Sequence, residues 1–564
     1  MANIKKINLF GKKKWLIFSV IALGLILRLI GIGFGLPNLY HADEPIIVNH
    51  ALAYGSGDFN PHFFNIPPLV SYLLFLVYGL YYLIGHFVGF FPSANDFLYL
   101  FVNNPSSFYL IARILFGAIL GTFTIYVLYR LVRRFFSWEH AILSALILGF
   151  NFLHVRDSHY IYVDIPLVLV LIVGFFPIFR LSQKFSWKSY LLFGCLLGLI
   201  VAIKYNGVFI VIPFLFVHFL TYGFKINRLL VTLLISLAVY TILNPFSVLD
   251  FNHFLSELYE QSRSENVLGP FHHLTYSLSG GVGWAILFFS TVGIGQSVFQ
   301  KDIKKIAVTI FVISYYFVLC FMSQPYDRYV LPLIPFLAFL ASDGLIAIKN
   351  RLELNPFFFC TLIFILVSPS LAKIDLSNLL FLRKDIRTVA KEWFEASISN
   401  GAKIALDSPF FMPRLKFTLS QLEEKKLYLL SQNRHQKTQL LRINAMIKQG
   451  KEANEARYKL YFLNGIPHSD SDFLFSNPRA SYQVSALKKQ GIEYIILCPI
   501  DKHQTVFYDD VHKNADLIAV FSPYKDHSNG PIDQQALTGG PFIWNELIAR
   551  ERNGQIIAIY KLRN

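Results

Sequence analysis

The chain of 564 residues contains little charge and little sulfur. Only 15% of its residues are charged, whereas soluble domains usually contain about 25%. This shortage excludes an ordinary soluble protein. The four cysteines show no spacing typical of a zinc site or of a disulfide framework. We therefore expect four buried free thiols, at Cys195, Cys320, Cys360 and Cys498.

The sequence also lacks an internal repeat, a low-complexity linker and a basic surface interleaved with exposed aromatic residues. Its net charge is 51 − 35 = +16. The lysines and arginines lie beside apolar segments, where they determine the orientation of a membrane protein. We therefore expect no nucleic-acid partner.

Apolar residues make up 54% of the chain and form long blocks. A block of about 20 apolar residues is long enough to cross a bilayer. The first block follows a lysine-rich start, as a signal peptide would. It is longer than the apolar core of a typical signal peptide, and no cleavage pattern follows it, so we interpret it as a retained transmembrane helix. The pattern predicts a mainly α polytopic membrane protein with about eleven transmembrane helices. The predicted spans are 15–35, 108–130, 139–154, 164–182, 188–203, 206–223, 228–245, 283–300, 305–323, 329–348 and 355–372.

The positive charges predict the topology. The lysine-rich start should stay in the cytoplasm, and five successive turns assigned to that side are then basic. The other side holds 35–67, 155–163, 204–205, 246–282, 324–328 and everything after 373. Residues 68–91 are apolar enough to span, but a span there would reverse all later turns. We therefore predict a tyrosine-rich helix at the outer interface for this segment.

After residue 373 the apolar blocks shorten and charges intersperse. We predict a transmembrane catalytic domain over 1–373 and a soluble extracytoplasmic α/β domain over 374–564. Residues 385–393 have the pattern of an amphipathic helix, and 421–457 is mainly helical. Short apolar runs that alternate with helical segments argue an α/β arrangement. The predicted strands are 403–406, 494–497, 517–520 and 556–559.

Two adjacent acids, Asp43 and Glu44, lie at the outer end of the first span. Carboxylates at such a place are costly unless they are used. A carboxylate there can act as the general base of a sugar transfer or bind a cation. The alternative is a solvated acidic start of the helix that begins near Pro45.

A second cluster contains His154, Arg156, Asp157 and His159, with Asp164 shortly after. This density of charge at a turn between membrane helices points to a functional site. Two alternatives remain open: Asp164 begins a helix and can cap it, and Arg156 and Asp157 can simply pair with each other.

Lys204 and Arg328 are basic on the outer side, against the positive-inside tendency. Either cation suits a phosphate. Lys204 can instead extend to the interface, and Arg328 can pair with Asp327. In the first loop, His62 can contact a phosphate or a metal, or be structural. No helical spacing joins the acids and histidines of loop 246–282 into a metal motif; these are His253, Glu257, Glu265, His272 and His273.

Three stretches together resemble the GT-C superfamily, and in particular bacterial members of glycosyltransferase family 39. These are similar to protein O-mannosyltransferases and to aminoarabinose transferases that modify lipid A. The resemblance covers almost the whole chain. The stretches are Gly35-Leu-Pro37-Asn-Leu-Tyr-His41-Ala-Asp43-Glu44-Pro45, Asn60-Pro-His62-Phe-Phe-Asn65-Ile-Pro-Pro68, and His154-Val-Arg156-Asp157-Ser-His159 with Val163-Asp164-Ile-Pro166.

The resemblance implies a multi-pass enzyme whose donor is a sugar on a polyprenyl phosphate. It implies catalytic roles for Asp43, Glu44 and Asp164. Donor-phosphate contacts are then expected from Lys204, Arg328 and Arg156. The expected substrate pocket contains His41, His62, Asp157, His159 and Tyr329. Members differ in metal use, so a divalent metal stays open, with Asp43 and Glu44 as candidate ligands.

The sequence thus predicts an inverting glycosyltransferase acting on an extracytoplasmic protein, lipid or glycan. The alternative is a transporter or flippase of a phosphate-bearing lipid, which would need charges midway through its spans. We expect a bacterial plasma-membrane protein, with its active site and its C-terminal domain on the extracytoplasmic side.

Overall fold

The computed structural model describes residues 9–262, 269–322, 324–407, 412–431, 437–453, 455–463, 481–498, 505–526, 540 and 542–563. The described chain is mainly helical and contains one sheet. It divides into two compact units. The first unit comprises Met1–Ile32, Asn60–Val70 and Ala112–Leu376, and the second comprises Gly33–Phe59, Ser71–Ile111 and Ser377–Asn564. The boundary predicted between residues 373 and 374, which separates a catalytic domain from a C-terminal domain, stays a prediction.

Apolar helices build the first unit. It has α-helices at Leu9–Leu29, Leu120–Phe135, Trp138–Gly149, Phe152–Asp157, Asp164–Leu181, Trp187–Ile203, Val211–Tyr222, Ile226–Leu243, Phe246–Leu249, Phe251–Ser262, Ser279–Gly281, Trp284–Phe299, Ile303–Leu319, Ile334–Arg351 and most of Pro356–Leu382. Tighter 3₁₀ turns occur at Tyr205–Ile210 and Asp327–Leu333, and wider π turns at Arg113–Ile119 and His273–Leu278.

Glycines let some of these helices approach closely. A Cβ atom on Gly293 would lie 2.0 Å from the Leu340 carbonyl oxygen, and one on Gly344 would lie 2.1 Å from that of Phe289. The helices Trp284–Phe299 and Ile334–Arg351 therefore pack backbone against backbone. Small residues at helix interfaces are typical of membrane bundles, where dispersion contacts rather than the hydrophobic effect hold helices together.

Seven helices of the described chain are long and apolar enough to cross a membrane, or eight if the bent pair His273–Gly281 and Trp284–Phe299 forms one span. The prediction of a multi-pass membrane protein is confirmed, whereas the count of eleven stays a prediction. The helix Leu69–Phe87, within the segment predicted to lie at the interface, is one of the seven. Its interfacial placement also stays a prediction.

The second unit contains the only sheet of the described residues. Its strands are β1 (Lys403–Leu406), β2 (Lys459–Phe462), β3 (Tyr494–Leu497), β4 (Ala515–Phe521) and β5 (Ile557–Leu562), in the order β2-β1-β3-β5-β4. β1 is parallel to β2 and β3, whereas β5 is antiparallel to β3 and β4. All four predicted strands are confirmed, and β2 was missed. The predicted C-terminal α/β domain is thereby confirmed.

Helices of the second unit include the predicted amphipathic one. They are Glu44–Ala53, most of Leu69–Phe87, Ala94–Asn103, most of Ser106–Ala112, Ile386–Ser397, Leu419–Ser431, Lys437–Glu452, Val484–Lys489, Thr505–Asn514 and Trp544–Ala549, with a 3₁₀ turn at Tyr54–Ser56. The helix Ile386–Ser397 begins where the Asp385 carboxylate accepts a hydrogen bond from the Arg387 N–H at 2.9 Å. It buries Ile386, Ala390 and Phe394, which recur at helical spacing on one side.

All four cysteines are free. Cys498 is buried and Cys320 is half-buried, but Cys195 and Cys360 are exposed. The expectation of burial was therefore wrong for these two. Both lie on apolar helices of a membrane protein, where an outward-facing thiol meets lipid rather than protein.

Candidate active site

The first helix turn after the 155–163 connection carries a buried carboxylate. Asp164 is the first residue of the helix Asp164–Leu181, and Val163 occupies the capping position. The Asp164 Oδ1 atom accepts a hydrogen bond from Lys204 Nζ at 2.6 Å, and Oδ2 lies 3.9 Å from Arg328 Nε. Val163, and not Asp164, occupies the helix-capping position. The Asp164 carboxylate contacts Lys204 and Arg328 instead.

Lys204 comes directly after the helix Trp187–Ile203, in an extended conformation that ends the helix. Its side chain is only 15% exposed and points to Asp164. Its Nζ atom also lies 4.9 Å from the centre of the Tyr329 ring, a cation–π distance. Lys204 is therefore held inside the first unit rather than extended into solvent.

The short 3₁₀ helix Asp327–Leu333 supplies three consecutive side chains to this place. A 3₁₀ helix has three residues per turn, so neighbouring side chains point in three directions. Asp327 accepts a hydrogen bond from Arg156, Arg328 approaches Asp164, and the Tyr329 ring lies near Lys204. The Arg328 guanidinium carbon also lies 4.1 Å from the Tyr326 ring centre.

Arg156 is already matched by two carboxylates. Its Nε and Nη2 atoms donate to Asp157 Oδ2 at 3.1 and 2.8 Å, and Nη1 donates to Asp327 Oδ2 at 2.8 Å. The predicted pairing of Arg156 with Asp157 is thus observed. Lys204 and Arg328 lie beside the two oxygens of the Asp164 carboxylate. Two neighbouring cations of this kind are suited to hold an anion such as a phosphate.

Two histidines fix the segment that carries Arg156. The ring nitrogens of His159 lie 2.9 Å from the carbonyl oxygens of Val155 and Ile30. His154 lies between Arg28 at 2.9 Å and Thr124 at 3.1 Å. All these side chains of the first unit are buried or nearly so, which favours a structural role for His154 and His159.

Glycines of a neighbouring helix also support the segment. A Cβ atom on Gly117 would lie 2.4 Å from the Ser158 carbonyl oxygen, and one on Gly121 would lie 2.2 Å from the Ser158 hydroxyl. Only glycine allows this approach. The connection that carries Arg156 and Asp157 is therefore packed directly against a helix backbone.

The other predicted acids belong to the second unit. Asp43 precedes the helix Glu44–Ala53 in the capping position, but its side chain makes no capping hydrogen bond. Glu44 is fully buried. The His41 Nδ1 atom accepts a hydrogen bond from the Asp43 N–H at 3.3 Å. Both acids therefore stand at the start of a helix, as the alternative expected, but Glu44 is buried rather than solvated and Asp43 is half-buried.

The α/β domain holds the loop that carries Asp43. The Arg387 guanidinium lies 4.0 Å from the Tyr40 ring centre, and its Nη1 atom donates to the Tyr40 carbonyl oxygen at 3.3 Å. The Tyr40 hydroxyl lies 2.9 Å from the Thr388 hydroxyl, and Asp385 pairs with Arg387 at 2.8 Å. The helix was predicted from its periodicity, but nothing in the sequence indicated this contact with the loop.

The structure thus gathers Arg156, Asp157, Asp164, Lys204, Arg328 and Tyr329 in the first unit, and His41, Asp43 and Glu44 in the second. His62 lies elsewhere in the first unit, close to Asp250 and His253. Among the described residues, these three side chains form the group that could hold a metal ion. That group includes neither Asp43 nor Glu44, so a divalent metal at that pair stays a prediction. The predicted Glu265 lies outside the described residues.

Comparison with known proteins identifies the fold. Residues 97–249 match the family model described as dolichyl-phosphate-mannose-protein mannosyltransferase. A search of curated proteins finds no match to the sequence.

Solved structures match the chain over different shares of its length. ArnT from Cupriavidus metallidurans bound to undecaprenyl phosphate is 12% identical, with a TM-score of 0.50, over 96% of this chain and 97% of that chain. The oligosaccharyltransferase AglB from Archaeoglobus fulgidus is 11% identical, with a TM-score of 0.43, over 98% and 89%. The Pmt1–Pmt2 O-mannosyltransferase of S. cerevisiae is 20% identical over 46% and 35%, with a TM-score of 0.30. The likeness to ArnT confirms the predicted GT-C fold.

Proposed function

We propose that this chain, which has the GT-C glycosyltransferase fold, is an inverting enzyme that moves a sugar from a polyprenyl-phosphate donor to an extracytoplasmic acceptor. The observation that carries the proposal is that two cations, Lys204 and Arg328, both lie beside the buried carboxylate of Asp164. Support also comes from the similar ArnT structure, which is described as bound to undecaprenyl phosphate.

The donor phosphate binds at Lys204 and Arg328 in this proposal. When the bond between the anomeric carbon and the phosphate oxygen breaks, its electron pair goes to the phosphate. Fixed cations stabilise this developing charge without rearranging, which is usually a large part of catalysis. Asp164 orients both cations. Arg156, which is occupied by Asp157 and Asp327, keeps the neighbouring segment in place.

The acceptor is activated by Asp43. Its carboxylate takes the proton from an acceptor hydroxyl, and the acceptor oxygen attacks the anomeric carbon from the face opposite the phosphate. This displacement inverts the anomeric configuration. His41 precedes Asp43 in the same loop, Glu44 begins the helix that follows, and Arg387 holds the loop through Tyr40. A general base of this kind contributes about 10²–10⁴-fold to the rate.

The variant Asp43→Asn tests the proposal. The asparagine keeps the shape of the side chain but cannot take a proton, so we expect transfer to fall by about 10²–10⁴-fold. Binding of undecaprenyl phosphate should stay unchanged, because Asp43 is assigned to the acceptor. Transfer is measured with purified protein and membrane lipid extract, without any ion gradient.

A matched control is Asp58→Asn, which changes an exposed acid of the second unit beyond the helix Glu44–Ala53 and should keep full activity. Wild-type turnover by Asp43→Asn would remove the general base from the mechanism. Donor movement that depends on a gradient and yields no transferred sugar would favour a flippase instead.

A further inference from the structure

Three potential metal ligands from two distant parts of the sequence meet in the first unit. His62 belongs to the segment Asn60–Val70, and Asp250 and His253 lie about 190 residues later. One ligand atom from each of the three lies within 4.8 Å of those of the other two. This cluster is not used by the sugar transfer proposed above.

The distances within the cluster suit a shared cation. The His253 Nδ1 atom lies 3.5 Å from Asp250 Oδ2, which is long for a hydrogen bond. Two ligands of a tetrahedral zinc ion, at bonds of about 2.0–2.1 Å, lie about 3.4 Å apart. The pair therefore has the spacing of two neighbouring ligands around one ion.

Further residues orient these ligands in the way that metal sites require. Glu257 Oε1 lies 3.0 Å from His253 Nε2, so a proton on Nε2 leaves the lone pair of Nδ1 for a metal. The other oxygen of Glu257 accepts a hydrogen bond from the Phe64 N–H. Asn60 Nδ2 donates to Asp250 Oδ2 at 2.8 Å. A carboxylate behind a histidine, and a donor behind a carboxylate, are regular partners of bound metals.

The spacing along the chain explains the shared direction of these side chains. Asp250, His253 and Glu257 follow one another by three and four residues at the start of the helix Phe251–Ser262, and such residues lie on one side of a helix. The histidines and glutamates of this loop alone did not predict a metal motif. Asp250, three residues before His253, completes the helical spacing.

We propose that His62, Asp250 and His253 bind a divalent transition-metal ion of the zinc class. Two imidazoles and one carboxylate are ligands that zinc prefers, and three protein ligands leave a fourth position for water. The side chains of Asp250 and His253 are 30% and 38% exposed, so ions reach them from solvent. The proposal does not depend on sugar transfer.

The bound ion joins the first-loop segment to the helix Phe251–Ser262. That segment also contacts the donor site, because the Tyr205 hydroxyl donates to the Phe64 carbonyl oxygen at 2.9 Å and Tyr205 directly follows Lys204. Metal binding therefore fixes a segment that lies beside the residue assigned to the donor phosphate.

The test measures metal binding on the purified full-length protein in detergent, without donor or acceptor. After EDTA treatment, Zn²⁺ is titrated in competition with a chromophoric chelator. We expect one tight site per chain in the wild type, its loss in His253→Ala and His62→Ala, and affinity weaker by about 10–100-fold in Glu257→Gln. His272→Ala, in the same loop but outside the cluster, should bind like the wild type.

A second measurement distinguishes the loss of the metal site from poor folding of a variant. Co²⁺ in the wild-type site should give visible absorption of a four-coordinate nitrogen and oxygen site, and His62→Ala should remove it while keeping the wild-type melting profile in EDTA. Wild-type affinity in both histidine variants, or no tight zinc in the wild type, would overturn the proposal. Since no sugar transfer is scored, this outcome is separate from failure of the proposed activity.

Discussion

Replacing Lys204 by methionine separates the stabilising role of the buried charge cluster from its binding role. The change removes a cation 2.6 Å from a carboxylate that is 3% exposed. Breaking a buried pair by removing one partner costs about 3–5 kcal/mol. Because Arg328 stays 3.9 Å from the other oxygen of Asp164, we expect a value near the lower end of that range.

The double variant Asp164→Asn/Lys204→Met provides the comparison. It also removes the carboxylate charge that has lost its Lys204 partner, so it should be more stable than Lys204→Met alone. The coupling between the two sites follows from the four proteins of the double-mutant cycle. The assay is thermal unfolding in one detergent, followed by tryptophan fluorescence.

Binding should not recover together with stability. Both Lys204→Met and the double variant lack one of the two cations assigned to the donor phosphate. Both should therefore bind undecaprenyl phosphate more weakly than the wild type. The reasoning is refuted if the double variant binds this lipid like the wild type. It is equally refuted if Lys204→Met melts like the wild type, because the pair would then contribute nothing.

Two further predictions concern the second unit. Arg387→Ala releases the Tyr40 loop that carries Asp43. It should therefore lower the rate of transfer by at least about tenfold without weakening the binding of undecaprenyl phosphate. An equal loss of transfer rate and of lipid affinity, measured in kinetic and binding assays, would contradict this. Burial, with help from Asp407, raises the pKa of the Cys498 thiol well above its usual value. In a chain without its other cysteines, Cys498 should therefore resist maleimide at pH 7 until the protein is denatured, and rapid labelling of the folded chain would show that the thiol is accessible.

Periodic features of the fold were predictable, because they are local. Long apolar blocks predict membrane helices, and four short apolar runs predict the strands that the structure confirms. β2 (Lys459–Phe462) was missed because it begins two residues after a segment with strong helical character. The amphipathic helix was predicted because Ile386, Ala390 and Phe394 recur at helical spacing.

Contacts between distant parts of the chain were not predictable in the same way. Lys204 and Asp164 lie 40 residues apart, yet both stand at predicted outer ends of consecutive spans, so their meeting followed from the topology. Arg156 and Asp327 are 171 residues apart, and no pattern joins them. The contact between Arg387 and the Tyr40 loop spans 347 residues and depends on how the α/β domain folds.

Binding of undecaprenyl phosphate to purified wild-type protein and to Arg328→Gln in nanodiscs tests the central claim most directly, because it needs no knowledge of the sugar. Removing one charged partner from a buried contact costs about 2–5 kcal/mol, which is about 30-fold or more in affinity. The account predicts saturable binding by the wild type, weakening by about that factor in Arg328→Gln, and little binding of the phosphate-free alcohol undecaprenol by either protein. Equal binding of the lipid phosphate by both proteins, or equal binding of undecaprenol by the wild type, would contradict it.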